Sequence, residues 1–63
     1  MQPHQQRVVD EKSELDEKLS NLNKFFSNSI FLGLNKDEQN RLKLQAIYMQ
    51  KYLDILKERI ENF

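Results

Sequence analysis

The chain has no cysteine and no tryptophan, and only one glycine, one proline and one histidine in 63 residues. Without cysteine, no disulfide and no thiolate zinc site can hold a small fold together. The lone histidine, His4, has none of the companion ligands that a metal site gathers, and it reads as solvated near a chain end. So little glycine and proline leaves few turns for a sandwich or barrel and points to long helices. There is no excess of charge either. Ten Lys and Arg balance ten Asp and Glu without a basic block, so the electrostatic footprint of a duplex nucleic-acid binder is missing. No apolar run approaches the roughly 20 residues that span a bilayer. The opening MQPHQQR carries no apolar targeting segment, so a cytoplasmic location is expected, with no membrane partner.

What is present is a helical pattern in a chain with 32% charged residues. The fold class it predicts is all-α, an antiparallel two-helix hairpin assembling into a homo-oligomeric helical bundle. One domain, residues 1–63, is divided into a helix over about 3–26, a loop over 27–35 and a helix over about 36–62. Pro3 suits a first helical turn, where its missing N–H would be unpaired anyway. Val8, Leu15, Leu19, Leu22 and Phe26 then recur on one face, with Lys12 in the remaining place of the pattern. A lysine there either lays its stem along apolar surface or turns its ammonium toward an anion. The acidic residues between Asp10 and Glu17 interleave with Lys12 and Lys18, as a solvated helix face does.

The second helix is the organising element. Asn35 and Glu38 have the spacing of a capping box, each side chain reaching the other's backbone N–H. Leu42, Ala46, Met49, Leu53, Leu56, Ile60 and Phe63 alternate in steps of three and four and form a packing face. The connection SNSIFLGL is expected to use Gly33 for a positive φ; its Ile30, Phe31, Leu32 and Leu34 either tuck back over the end of the hairpin, the favoured reading, or meet another protomer.

Beside the packing face runs a second stripe of Arg41, Gln45, Tyr48, Tyr52, Ile55 and Arg59 at the same spacing. Leu44, Ile47, Tyr48, Tyr52 and Ile55, with Val9 and Phe25 of the first helix, lie outside the seam, and a lone hairpin has no third layer to cover them. Apolar surface of that extent marks association, so a symmetric homo-oligomer, a dimer or an assembly of dimers, is expected. It would also supply the staple that a chain this short needs.

No Gly-rich phosphate loop, no Ser/His/Asp set and no metal-ligand cluster occurs, so neither catalysis nor a cofactor is expected. The mixed stripe has two readings. Tyr and Arg are enriched in ordinary protein interfaces, and Arg59 could pair Glu11 across the hairpin. Aromatic faces also stack bases while guanidinium groups bind phosphates, so the same stripe could line a nucleotide pocket. The candidate ligand-binding residues are therefore Arg41, Gln45, Tyr48, Tyr52 and Arg59, joined by Arg7 and Lys12, which antiparallel packing brings toward the Arg59 end. The residues by themselves favour the interface.

Together, HQQRVVDEKSELDEKL at residues 4–19, the IFLGL connection, and Arg41, Leu42, Gln45, Met49, Tyr52, Leu56, Arg59, Ile60 and Phe63 resemble a family of very small phage proteins built as one helical hairpin. Those hairpins resemble the hairpin domain of phage sponge proteins, which sequester the cyclic-oligonucleotide or cyclic ADP-ribose signals of bacterial CBASS and Thoeris defence. The resemblance implies a non-enzymatic, homo-oligomeric binder holding intact signalling nucleotides in pockets between protomers. The alternative is an oligomeric protein-interaction module without a small-molecule ligand.

Overall fold

Pro3 opens helix α1 (Pro3–Phe25) just after Gln2, whose N–H is accepted by the Gln5 side chain at 2.9 Å. The computed structural model describes residues 1–63. At the other end, the Ser27 hydroxyl donates to the Lys24 carbonyl at 3.0 Å, and the Asn28 N–H donates to that of Phe25 at 2.9 Å. These bonds satisfy carbonyls that a helix end leaves open. Asn28 then caps a single helical turn, α2 (Ser29–Leu32), its side chain accepting the Ile30 N–H at 2.8 Å. The connection therefore has regular structure of its own.

Helix α3 (Lys36–Glu61) starts at Asn35, whose side chain accepts the Glu38 N–H at 2.8 Å. Only that half of the expected capping box forms. The Glu38 carboxylate accepts from Arg41 Nε at 3.1 Å instead. Asp37 and Glu38 in the first turn and Arg59 in the last suit the helix dipole.

The two long helices lie side by side in one layer, 45 × 15 × 13 Å overall, so the all-α hairpin is as expected. Its thinness limits burial. Val8 and Leu19 of α1 and Leu53 and Leu56 of α3 are buried at the seam, and Leu15, Leu22, Leu42, Ala46, Met49 and Ile60 are half-buried. Phe63 departs from the expected packing face: α3 ends at Glu61, and the ring beyond it is exposed.

The connection tucks back only in part. Phe31 is buried, edge-on to Phe25 at 5.8 Å and to Phe26 at 5.0 Å, and Leu34 is half-buried. Ile30 and Leu32 point outward, 66% exposed each, because one helical turn cannot aim all its side chains at one surface. The turn is locked from below by Gln39, a buried side chain whose amide donates to the carbonyls of Leu34 at 2.9 Å and Leu32 at 3.3 Å.

Gly33 does not take the expected positive φ; its φ is −84°, and α2 ends right-handed. An added Cβ would meet only the Ile30 and Ser29 carbonyls at 3.5 Å, an ordinary contact. Gly33→Ala is accordingly expected to raise stability by about 0.4–1 kcal/mol through a less flexible unfolded chain. The urea midpoint, with an unchanged m-value, is the check.

Candidate functional site

The mixed stripe occupies one flank of α3, beside the seam. Tyr48 and Tyr52 are 59% and 42% exposed, one turn apart, and Leu44 and Ile55 continue the face. Lys51 Nζ lies 5.5 Å from the Tyr48 ring centroid. Gln45 and Arg41 make only local contacts, the amide to Met49 Sδ at 3.8 Å and the guanidinium to Glu38. Arg59 and Arg7 are exposed and form no ion pair; both ion pairs of the chain, Arg41–Glu38 and Lys12–Asp16, are local to one helix.

One polar bond crosses the hairpin. The Tyr52 hydroxyl donates to Glu11, the carboxylate that Arg59 could have paired on one reading of the stripe. Glu11 was legible as a neighbour of the Arg59 end, but its true partner depends on the relative rotation of the helices. The Glu11 carboxylate holds the Tyr52 phenol above the ordinary value of 10.0, first by accepting its hydrogen bond, then with help from partial burial and from its own charge, while Arg59 pulls the other way.

A raised folded-state value means that folding favours the protonated phenol. That contribution is complete below the unfolded value near 10 and is lost as pH rises through the folded one. Absorbance titration of the phenols is expected to show Tyr52, identified by its loss in Tyr52→Phe, ionising above the ordinary range. Glu11→Ala should return it toward that range.

Lys12 separates from the other candidates. Consecutive helix positions point about 100° apart, so with Glu11 turned to the Tyr52 flank, Lys12 faces the other. There it pairs with Asp16 at 3.5 Å and lines an open groove of about 380 Å³ with Val9, Ser13, Lys57, Ile60 and Glu61. Lys12 lies level with the Arg59 end, as antiparallel packing predicts, and shares its groove with Lys57, Ile60 and Glu61. Arg7, four residues before Glu11, keeps to the stripe's side.

Reach divides the stripe as well. Arg41 and Arg59 stand about 27 Å apart along α3 at 1.5 Å per residue, farther than one small ligand extends. Within one chain, therefore, the candidates form two cationic ends around a tyrosine pair, with no enclosing wall. No group of three or more His, Cys, Asp or Glu side chains is placed to hold a metal ion, and no helix is long and apolar enough to cross a membrane.

The sequence matches the family model Sequestin over residues 2–62. It is also 36% identical over 63 residues to an uncharacterised 7.5 kDa protein of the denB–rIIB intergenic region of Enterobacteria phage T4, covering 100% of this chain and 98% of that one. No solved structure matches. The resemblance to very small phage hairpin proteins is thus borne out, and with the family match spanning nearly every residue, the chain belongs to the Sequestin family.

Proposed function

We propose that this chain is a phage-encoded, non-enzymatic sponge that binds and sequesters cyclic-oligonucleotide or ADP-ribose-type immune signals between protomers of a homo-oligomer, in the cytoplasm of the infected bacterium. The observation that carries it is the exposed flank of α3, where two tyrosine faces lie between two exposed guanidinium groups, Arg41, which is paired only locally with Glu38, and Arg59, which forms no ion pair. Tyrosine faces stack bases, and guanidinium forks bind phosphate oxygens. The family's name, which speaks of sequestration, and the phage relative support a binding role over catalysis.

A ligand that binds only the folded state stabilises it by mass action, about 2.7 kcal/mol at 100 times Kd. For a domain of this size that is a rise of roughly 10–20 °C in Tm. Thermal melts against cyclic di- and trinucleotides and ADP-ribose derivatives are expected to show such a rise for at least one compound, and Tyr52→Ala to remove it. A panel that moves nothing, together with a stable oligomer, would instead favour the protein-interaction reading. Exposed Leu44, Ile47 and Ile55 are the observation behind that second reading, since they need an apolar partner surface that a nucleotide does not supply.

A further inference from the structure

The exposed stripe has a partial symmetry: arginine and tyrosine stand at matching places from either end, with Gln45 opposite Ile55 between them. Arg41, Gln45, Tyr48, Tyr52, Ile55 and Arg59 are spaced four, three, four, three, four, with arginine at both ends and tyrosine on both sides of the centre. Spacing of that kind makes a seam for a second helix, each layer drawing one side chain from each strand. In an antiparallel pair centred between Tyr48 and Tyr52, the layers set tyrosine on tyrosine and arginine beside arginine, with the Gln45 amide beside the apolar Ile55 in the layers between.

We infer that the stripe seats a second copy of this chain, antiparallel and in that register, and that Arg41 with the partner's Arg59 forms a phosphate-binding element at each end of the pair. The inference deepens the proposed sponge role and rests on it for the ligand class; the pairing itself does not.

Charge selects the antiparallel direction. Asp37 and Glu38 stand at the start of α3 and Arg59 in its last turn. A parallel pair would set acid against acid and align the two helix dipoles, whereas the antiparallel pair sets each acidic start beside the partner's Arg59. The face is free to be covered: Leu44, Tyr48, Tyr52 and Ile55 are between 42% and 59% exposed. Tyr52 is already held by Glu11, so its ring is placed before a partner arrives.

At each end the pair brings two guanidinium groups together. Glu38 is bonded to Arg41 through Nε, an exposed pair of the weak, exchangeable kind. The partner's Arg59 adds a second cation, and a phosphate bridging both relieves their repulsion. One protomer alone holds the two arginines about 27 Å apart, so the element is incomplete without the partner.

The chain has no cysteine, which makes the register directly testable. Gln45→Cys mixed with Ile55→Cys and oxidised is expected to give the mixed dimer. Each variant alone should give little, because its two copies of the thiol lie about 15 Å apart along the axis. Equal cross-linking in the single variants, or none in the mixture, overturns the register.

For the anion, sedimentation equilibrium is run in inorganic phosphate and in chloride at equal ionic strength. Phosphate is expected to tighten self-association about tenfold through linkage. Arg41→Glu, an exposed change that sets opposite charges in the end layers, should cross-link through the same positions and lose the phosphate response. A phosphate response that survives in Arg41→Glu, or is missing from the natural chain, overturns the anion element. Nucleotide stabilisation of a chain that fails to cross-link would leave the sponge reading standing and this site refuted. Cross-linking with a phosphate response but no nucleotide effect would do the reverse.

Discussion

Leu56→Ala is expected to cost about 2–5 kcal/mol, enough to unfold much of the protein at room temperature. Leu56 is the one side chain that is 0% exposed, in a seam with only four buried aliphatic residues, Val8, Leu19, Leu53 and Leu56. The layer is one helix thick on each side, so no second shell can collapse into the space left behind, and the upper part of the range applies. A small domain stands on a margin of the same order. Loss of the helical circular-dichroism signal and of the cooperative urea transition is the measure, made at matched protein concentration so that association does not alter the comparison. Leu56→Met, which nearly conserves volume, should cost less than about 1.5 kcal/mol. A cooperative melt for Leu56→Ala within 0.5 kcal/mol of the natural chain, on the scale of surface changes, would show that the seam is not what holds the hairpin.

Phe31→Ala should be of comparable size, about 3–5 kcal/mol, for a different reason. Phe31 is 3% exposed although it belongs to the connection, and its ring meets Phe25 and Phe26 edge-on. It closes the end of the layer that the two long helices leave open. Its loss removes those aromatic contacts and frees the turn that Gln39 holds through the Leu32 and Leu34 carbonyls. Faster amide exchange is therefore expected first in Ser29–Leu34, ahead of the α1–α3 seam. Ile30→Ala and Leu32→Ala, at equally apolar but exposed positions, should cost little. Equal losses from all three would contradict a specific plug.

Residue 31 marks where the sequence stops being sufficient. The unusual apolar content of the connection is visible in the sequence, but which of four apolar residues turns inward depends on the single turn of α2 that Asn28 starts. Gln39 was not legible at all. On a helix, a glutamine in the packing arc reads as surface, and only the returning Leu32 and Leu34 carbonyls give its amide a reason to be buried.

The candidate site divides in the same way. Spacing alone puts Arg41, Gln45, Tyr48, Tyr52, Ile55 and Arg59 on one flank, because helical periodicity is a local property of the chain. Spacing also bars Arg41 and Arg59 from sharing one small ligand within a protomer. Whether Lys12 joins them is not local. It depends on the rotation of α1 about its axis, which burial of the apolar faces of the two helices decides and which the Tyr52–Glu11 bond reports. That rotation sets Lys12 in the groove with Lys57, while helical spacing keeps Arg7 on the side of Glu11.

By itself, then, the sequence determined two helices, their apolar faces, the Asn35 start of the second and the mixed stripe, all of which follow from residue periodicity and capping chemistry. Only the tertiary structure decided the inward turn of Phe31, the burial of Gln39, the exposed end at Phe63, and the pairing of Glu11 with Tyr52. Each of those depends on how two helices rotate and return against one another, a relation between distant residues that no local pattern encodes.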